Sequence, residues 1–344
     1  VSKTFLERLD GEARDLLFAV ARPVSHKKGE RLVRHGDPSR GAYVLKEGAA
    51  EATVTLPGGE KLSVAKFGGG SVFGEMALIE RGTCTATVTA TENLAGWFIE
   101  RDDFRALVAQ RVAGALRVQH ALTLVLSDKL RQLNAKVLDV AASEDKPARK
   151  ANGHDPLADA KRLKKASFDF KPFLPQLPIF EGFDAAEIDE ILAAANVLEL
   201  ERGQKIFASG QPSTACFIVV RGAVKIRAQH AERERRMAVL GPGQLLGYMS
   251  ALEKSAHGSD AVVREDALLL EIPAKDFESL YFGSSSTSTK LHRVIQRSLL
   301  LSLGQTNRHL TRLISQAKLR GAAREGIELE KAYGGQITAA AVDS

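Results

Sequence analysis

The sequence predicts two copies of one mainly β domain in tandem, each flanked by helices and each closing on a long helix. Three observations carry this expectation. The chain is self-similar at an offset of 174 residues, glycines recur at matched turn positions, and a heptad-like apolar spacing follows each copy. At 344 residues the chain is too long for one core and suits two domains.

Taken in order, the start VSKTFLERLDGEARDL has acidic residues in its first turns and no apolar core of signal length. The segment from Lys27, KKGERLVRHGDPSRGAYVLKEGAAEATV, then matches the segment that begins near Glu201, LERGQKIFASGQPSTACFIVVRGAVKIR. Gly29 meets Gly203, Gly36 meets Gly210, Pro38-Ser39 meets Pro212-Ser213, and Gly48-Ala49 meets Gly222-Ala223. Glycines matched at turns imply the same need for positive φ in both copies. Between them Ala42-Tyr43-Val44-Leu45 and Cys216-Phe217-Ile218-Val219 read as strands, each preceded by a G-D-P-S or G-Q-P-S turn.

The match runs on through Ala65 to Gly70 against Val239 to Gly243, and Phe104 against Phe277 at an offset of 173. A long helix closes copy one, with Leu126, Leu130, Leu133, Val137 and Val140 spaced as a coiled-coil seam. At an offset of 177 the same places hold Leu303, Asn307, Leu310, Ile314 and Ala317. The expected boundaries are 1–141 for the first domain with its helix, 142–176 for a linker, 177–325 for the second domain, and 326–344 for a tail. The linker is polar and basic but contains apolar anchor points in PFLPQLP. The helix that opens copy two has Asp184 as its expected cap.

Composition sets outer limits. Apolar content of 44% and charged content of 26% are ordinary for a globular chain, and a net charge of +6 does not by itself indicate nucleic acid. Two cysteines, Cys84 and Cys216, make no disulfide framework. No apolar stretch approaches the roughly 20 residues of a membrane span, so a cytoplasmic, soluble chain is expected. The eight histidines are scattered without metal-ligand spacing, and neither a G-x-S-x-G motif nor a Walker-type loop occurs. Catalysis has no constellation to stand on, and the expectation is a protein that is not an enzyme.

At Phe73-Gly74-Glu75-Met76-Ala77-Leu78-Ile79 the first copy resembles the phosphate-binding cassette of cyclic-nucleotide-binding domains. That family includes the catabolite activator protein and the regulatory subunit of cyclic-AMP-dependent protein kinase. The likeness extends over nearly all of both copies, through the G-D turn, the Y-V-x-x-x-G strand, the cassette and the terminal helix. It implies a double-stranded β-helix, jelly-roll-like, with cyclic AMP or cyclic GMP as ligand of the first domain. In the family a strand ends at the cassette glycine and a short helix begins, so backbone N–H groups and a positive dipole end meet the phosphate. The following glutamate accepts the ribose 2′-hydroxyl, and an arginine nine residues on pairs with the phosphate through a fork of donors. A small residue after it admits another backbone N–H.

Copy one has Gly74 and Glu75 in place, but the arginine position holds Cys84; Thr85 and Ala86 keep the small residues. Arg81 comes three residues early, and two readings stand: a solvated helix-end residue favoured by the dipole, or a side chain that swings into the phosphate site. Losing a charged hydrogen bond costs about 1.5–3 kcal/mol, on the order of 10- to 100-fold in affinity, so cyclic-nucleotide binding is weakened rather than excluded. Cys84 reads either as an inert thiol or as a redox-responsive one. Asn134, on the terminal helix where the catabolite activator reads its base, is either a base contact or a surface residue beside the seam.

Copy two departs further. Gly247 is kept, Tyr248 replaces the glutamate, Met249 follows, and His257-Gly258 stands where arginine is expected. A degenerate pocket kept for packing is the bland reading; a protonated imidazole meeting a phosphate is the sharp one. Tyr248, Tyr281 and Phe282 are the aromatic candidates to cover a ligand there. Lys164-Lys165-Ala166-Ser167-Phe168 resembles a basophilic kinase target.

After Lys290 too little chain remains for a helix-turn-helix, so a DNA-binding domain is not expected. The function expected is a non-enzymatic regulator that senses a cyclic nucleotide in domain 1 and signals through its terminal helix to an unidentified protein partner. The alternative is a scaffold whose pockets have lost nucleotide. The matching seams allow either an intrachain pseudo-dimer or a homodimer, with Asn307 as a register-setting residue.

Overall fold

Alternating apolar residues in short segments, punctuated by glycine, give each copy its strands. The computed structural model describes residues 3–55, 61–140, 156–157, 162–163, 169–230 and 233–319. The chain divides into two compact units, one of residues 1–140 with 299–344 and one of residues 141–298. Ser167 and the tail from 326 lie outside the described residues.

The first unit opens with a 3-10 turn and α1 (Gly11–Val20), capped by Asp10, whose carboxylate accepts the Ala13 amide at 2.9 Å. Its strands are β1 (Arg22–His26), β2 (Arg31–Val33), β3 (Gly41–Glu47), β4 (Ala50–Thr55), β5 (Lys61–Phe67), β6 (Val72–Phe73), β7 (Thr87–Ala90) and β8 (Leu94–Glu100), with α2 (Met76–Ile79) between β6 and β7. They form two antiparallel four-stranded sheets, ordered β1-β8-β3-β6 and β2-β7-β4-β5. α3 (Arg101–Ala109) and the long α4 (Ala113–Val140) follow. Ala42, Val44 and Ile99 turn towards the helices and join Phe5, Leu9, Leu17, Phe104, Val118 and Leu122 in one core.

The second unit contains β9 (Arg162–Leu163), α5 (Ala185–Ala193), β10 (Asn196–Leu200), β11 (Lys205–Phe207), β12 (Ala215–His230), β13 (Arg233–Leu240), β14 (Leu245–Leu246), α6 (Tyr248–Glu253), β15 (Asp260–Pro273) and α7 (Ala274–Phe282). α8 (Ser286–Leu319) follows, and its residues from Leu299 onward belong to the first unit. β12 and β15 run unbroken where copy one splits into β3/β4 and β7/β8, so the strands join in a single seven-stranded antiparallel sheet. Asp184 caps α5 in a full capping box with Glu187. The apolar anchors of the linker pack into this unit: Leu157, Phe170 and Leu174 are buried, and β9 pairs with β10.

The repeat is visible bond by bond. Gly36 N donates to Cys84 O and Cys84 N to Asp37 O; in copy two Gly210 N donates to His257 O and His257 N to Gln211 O. Gly70 N meets Leu45 O as Gly243 N meets Val219 O, each at 2.8 Å. The matched glycines Gly29, Gly36 and Gly48, with Gly203, Gly210 and Gly222, all have positive φ. Along α4 the described side chains of the expected seam, Leu126, Leu130, Leu133 and Val137, are buried, and that of Val140 lies outside the described ones. Leu303, Asn307 and Leu310 are buried too, and within the first unit Thr306 Oγ1 donates to Asn134 Oδ1 at 3.4 Å.

Candidate functional site

The cassette of copy one hangs from the edge strand β6, whose Phe73 and Val72 pair with Tyr43 and Val44 of β3. Phe73 is buried and stacks on Tyr43 with ring centroids 5.0 Å apart, which locks the strand end. The chain then reverses at Gly74 with φ +73°, where a Cβ would stand 2.8 Å from Gly41 O. Only glycine meets both demands. Copy two repeats the device at Gly247, φ +78°, 3.0 Å from Ala215 O.

That reversal brings Glu75 inward. Its side chain is 5% exposed, and its Oε1 accepts Lys129 Nζ of α4 at 2.6 Å. A buried carboxyl without a partner is costly, and Lys129 supplies that partner. Met76 and the buried Ala77 open the short α2, with Ala77 N donating to Gly74 O at 3.0 Å. Lys129 was absent from the sequence candidates. It lies three residues after Leu126, beside the seam, where spacing does not separate it from the other cations of α4. At the offset of 177 its counterpart is Thr306, and at 173 the counterpart of Glu75 is Tyr248, so carboxylate and cation are lost together.

On the far side of the cassette, Thr85 is partly exposed and Ala86 is buried. Cys84 is half-buried on the turn that Gly36 and Asp37 clasp. Burial first, and the Asp37 carboxylate second, push its thiol above the ordinary value, the reverse of what a reactive thiolate needs. Arg81 is directed outward: its side chain is 75% exposed and stands 3.8 Å from Asp102 of α3. Asn134, read either as a base contact or as a surface residue beside the seam, accepts a hydrogen bond from Thr306.

In copy two the corresponding space is filled by side chains. Tyr248 is buried, which pushes its phenol pKa up. His257, 5% exposed, stacks flat on Phe207 at 3.9 Å between centroids, and its Cε1 would lie 3.6 Å from a Cβ on Gly247. Met249 is partly buried and Gly258 exposed. Tyr281 is fully buried, stacked on His292, whereas Phe282 is 52% exposed. A separate cavity of about 350 Å³ on this copy is lined by Arg202, Lys225, Arg227 and Arg264 with three valines, and includes no cassette residue. Among the described residues no group of three or more His, Cys, Asp or Glu could hold a metal ion, and no helix is long and apolar enough to cross a membrane.

Comparison with known proteins identifies the domain. The cyclic nucleotide-binding domain family matches residues 23–111 and 197–284, together about half of the chain. The cyclic AMP receptor protein of Thermus thermophilus is 34% identical over 104 residues, which is 30% of this chain and 48% of that protein. The chain spans half or less of the length of the curated relatives it matches. Among solved structures, the catabolite activator protein of Thermus thermophilus is 28% identical with a TM-score of 0.28, covering 44% of this chain and 62% of that one. The regulatory domain of Toxoplasma gondii PKA with cAMP is 17% identical with a TM-score of 0.30, covering 80% of this chain and 87% of that one. The chain belongs to the cyclic nucleotide-binding domain family and carries that domain twice.

Proposed function

We propose that this chain is a non-enzymatic, cytoplasmic regulator whose first domain binds a cyclic nucleotide, cyclic AMP or cyclic GMP, and transmits its occupancy through α4 to a protein partner. One observation carries the reading: the buried Glu75 carboxylate of the cassette is paired at 2.6 Å with Lys129 of α4. A ribose hydroxyl that donates to Glu75 enters a bond the terminal helix already shares, so a ligand that favours one Glu75–Lys129 arrangement also favours one helix arrangement. The pocket comprises Phe73 to Ala77 with Thr85 and Ala86, and the domain runs over 1–141. The hydrogen bond of Asn134 to Thr306 within the first unit supports pairing of α4 inside one chain rather than a homodimer.

Isothermal titration of the full chain with cyclic AMP and cyclic GMP tests this. Saturable heat is expected, and Glu75→Gln is expected to weaken it by on the order of 10- to 100-fold. Absence of heat or thermal stabilisation at millimolar ligand would sink the reading.

A second reading, a scaffold with degenerate pockets, is favoured by copy two, where Tyr248 and His257 are both buried in the cassette region. It applies to the whole chain only if copy one also fails to bind.

A further inference from the structure

Alternation along β12 sends Val224 and Ile226 into the core of the second copy and turns Lys225 and Arg227 to the opposite face. There the two cations line the cavity of about 350 Å³, together with Arg202 from the turn between β10 and β11 and Arg264 of β15. Small-molecule sites span roughly 300–1,000 Å³, so this volume suits one small ligand rather than a flat protein contact.

The register of the sheets shows that the fold does not dictate this charge. In copy two Lys225 pairs with Val239 on one side and with Val262 on the other. The same row of copy one holds Glu51 between Lys66 and Thr89. At an offset of 174 Arg202 answers to Lys28 and Arg227 to Thr53, and at 173 Arg264 answers to Thr91. One backbone therefore presents four cations among valines in the second copy, and an acid among lysines and threonines in the first.

Among the described residues no acid lines the cavity. Asp260, opposite Arg227 in the ladder, is buried and accepts Lys205 Nζ at 3.0 Å and the Ser209 amide at 2.7 Å. Asp266 accepts the Arg202 amide at 2.8 Å and is not part of the lining. Cations gathered at one cavity repel one another, and a shared anion removes that cost. A single phosphate meets one or two of them. A chain of phosphates spans more, and guanidinium forks match its oxygens in pairs. Val239 and Val262, on either side of Lys225, give an apolar surface for the rest of such a ligand.

We infer that the second copy carries an anion site on the outer face of its sheet, built without any cassette residue, that takes an organic di- or triphosphate. Arg202, Lys225, Arg227 and Arg264 hold the phosphate chain, and the valines hold the organic body. The site goes beyond the reading of Glu75 and stands even if neither cassette binds a nucleotide.

The test is isothermal titration of the full chain with ATP, inorganic tripolyphosphate and orthophosphate, at low and at physiological salt. ATP is expected to bind saturably, more tightly than tripolyphosphate, and to weaken as salt rises. Orthophosphate is expected to bind at least tenfold more weakly than tripolyphosphate. Lys225→Glu, which gives the row the acid that copy one already folds around, should weaken ATP by on the order of 100-fold, and Arg264→Gln by about 10- to 100-fold. Should Lys225→Glu lower the urea midpoint, the exposed Arg264→Gln decides. An excess of cyclic AMP is expected to leave ATP bound; displacement would put ATP in a cassette and overturn the site. No binding at low salt, or undiminished affinity in the deciding variant, overturns it as well. Tripolyphosphate binding as tightly as ATP overturns the organic class of the ligand. Duplex DNA that binds more tightly than ATP through the same residues would make the face a nucleic-acid contact and overturn the small-ligand assignment.

Discussion

At the scale of single residues, the Glu75–Lys129 pair is asymmetric, and the asymmetry has measurable consequences. Glu75 is almost fully enclosed, whereas Lys129 keeps 23% of its side chain exposed. Removing the acid leaves a lysine that can swing into water. Removing the lysine leaves a carboxylate that cannot. Lys129→Met is therefore expected to cost about 3–5 kcal/mol of stability, and Glu75→Gln clearly less, as read by urea denaturation at neutral pH. The order of the two variants is the decisive outcome; equal losses would mean that the pair is solvated alike at both ends. Lys129 was illegible in the sequence for a plain reason. Many cations lie along α4, including Arg131 and Lys136, and spacing does not say which one faces a cassette more than fifty residues earlier. Gly74 and Glu75, by contrast, were singled out by the resemblance of Phe73 to Ile79 to the cassette of the family.

At the scale of elements, the helices respond to pH through buried groups. His120 of α4 is held down to about 4 by burial, with the Arg8 guanidinium adding to the effect. Its folded pKa lies below the unfolded value of about 6.5, so the unfolded chain binds the extra proton. Stability is thus fully present above about pH 6.5 and falls as pH drops towards 4, by at most about 3 kcal/mol from this group. His120→Gln is expected to flatten that interval in a denaturation series; an unchanged slope would count against it. In α5 burial works to raise Glu187, but the Lys290 ammonium at 2.6 Å, Ser286 and the Asp184 amide outweigh it and hold the carboxyl down to about 2. Its contribution is present above about pH 4.5 and is lost as pH falls through 2. Glu187→Gln should remove acid sensitivity in this lower window and leave the upper one, set by His120, untouched.

At the scale of the whole molecule, the two copies share a backbone and differ in what fills it. Gly74→Ala and Gly247→Ala each force a side chain into positive φ against a carbonyl oxygen, at 2.8 and 3.0 Å. Both should lower stability by on the order of 1–2 kcal/mol, visible as a loss of midpoint in thermal or urea unfolding. Their effects on ligand should diverge. Gly74→Ala is expected to abolish ligand-induced stabilisation, while Gly247→Ala leaves it in place, because Tyr248 and the stacked His257 already occupy the second cassette region. Equal loss of binding in both variants would mean that the second copy is also a ligand site.

The sequence alone determined the tandem repeat, its turns, the two long helices and the position of the cassette. These are written in local terms: glycines where φ must be positive, alternation where strands are half-covered, and a 4-3 spacing where a helix buries one stripe. Tertiary structure decided the rest. It decided that Arg81 faces Asp102 and solvent, that the Cys84 amide bonds the Asp37 carbonyl, that Asn134 meets Thr306, and that Lys129 is the partner of Glu75. It also joined strands into one sheet in the second copy that remain divided between two in the first. The physical reason is common to all of these. Charge pairing and side-chain direction depend on residues distant along the chain and near in space, and a count of positions carries no such distances.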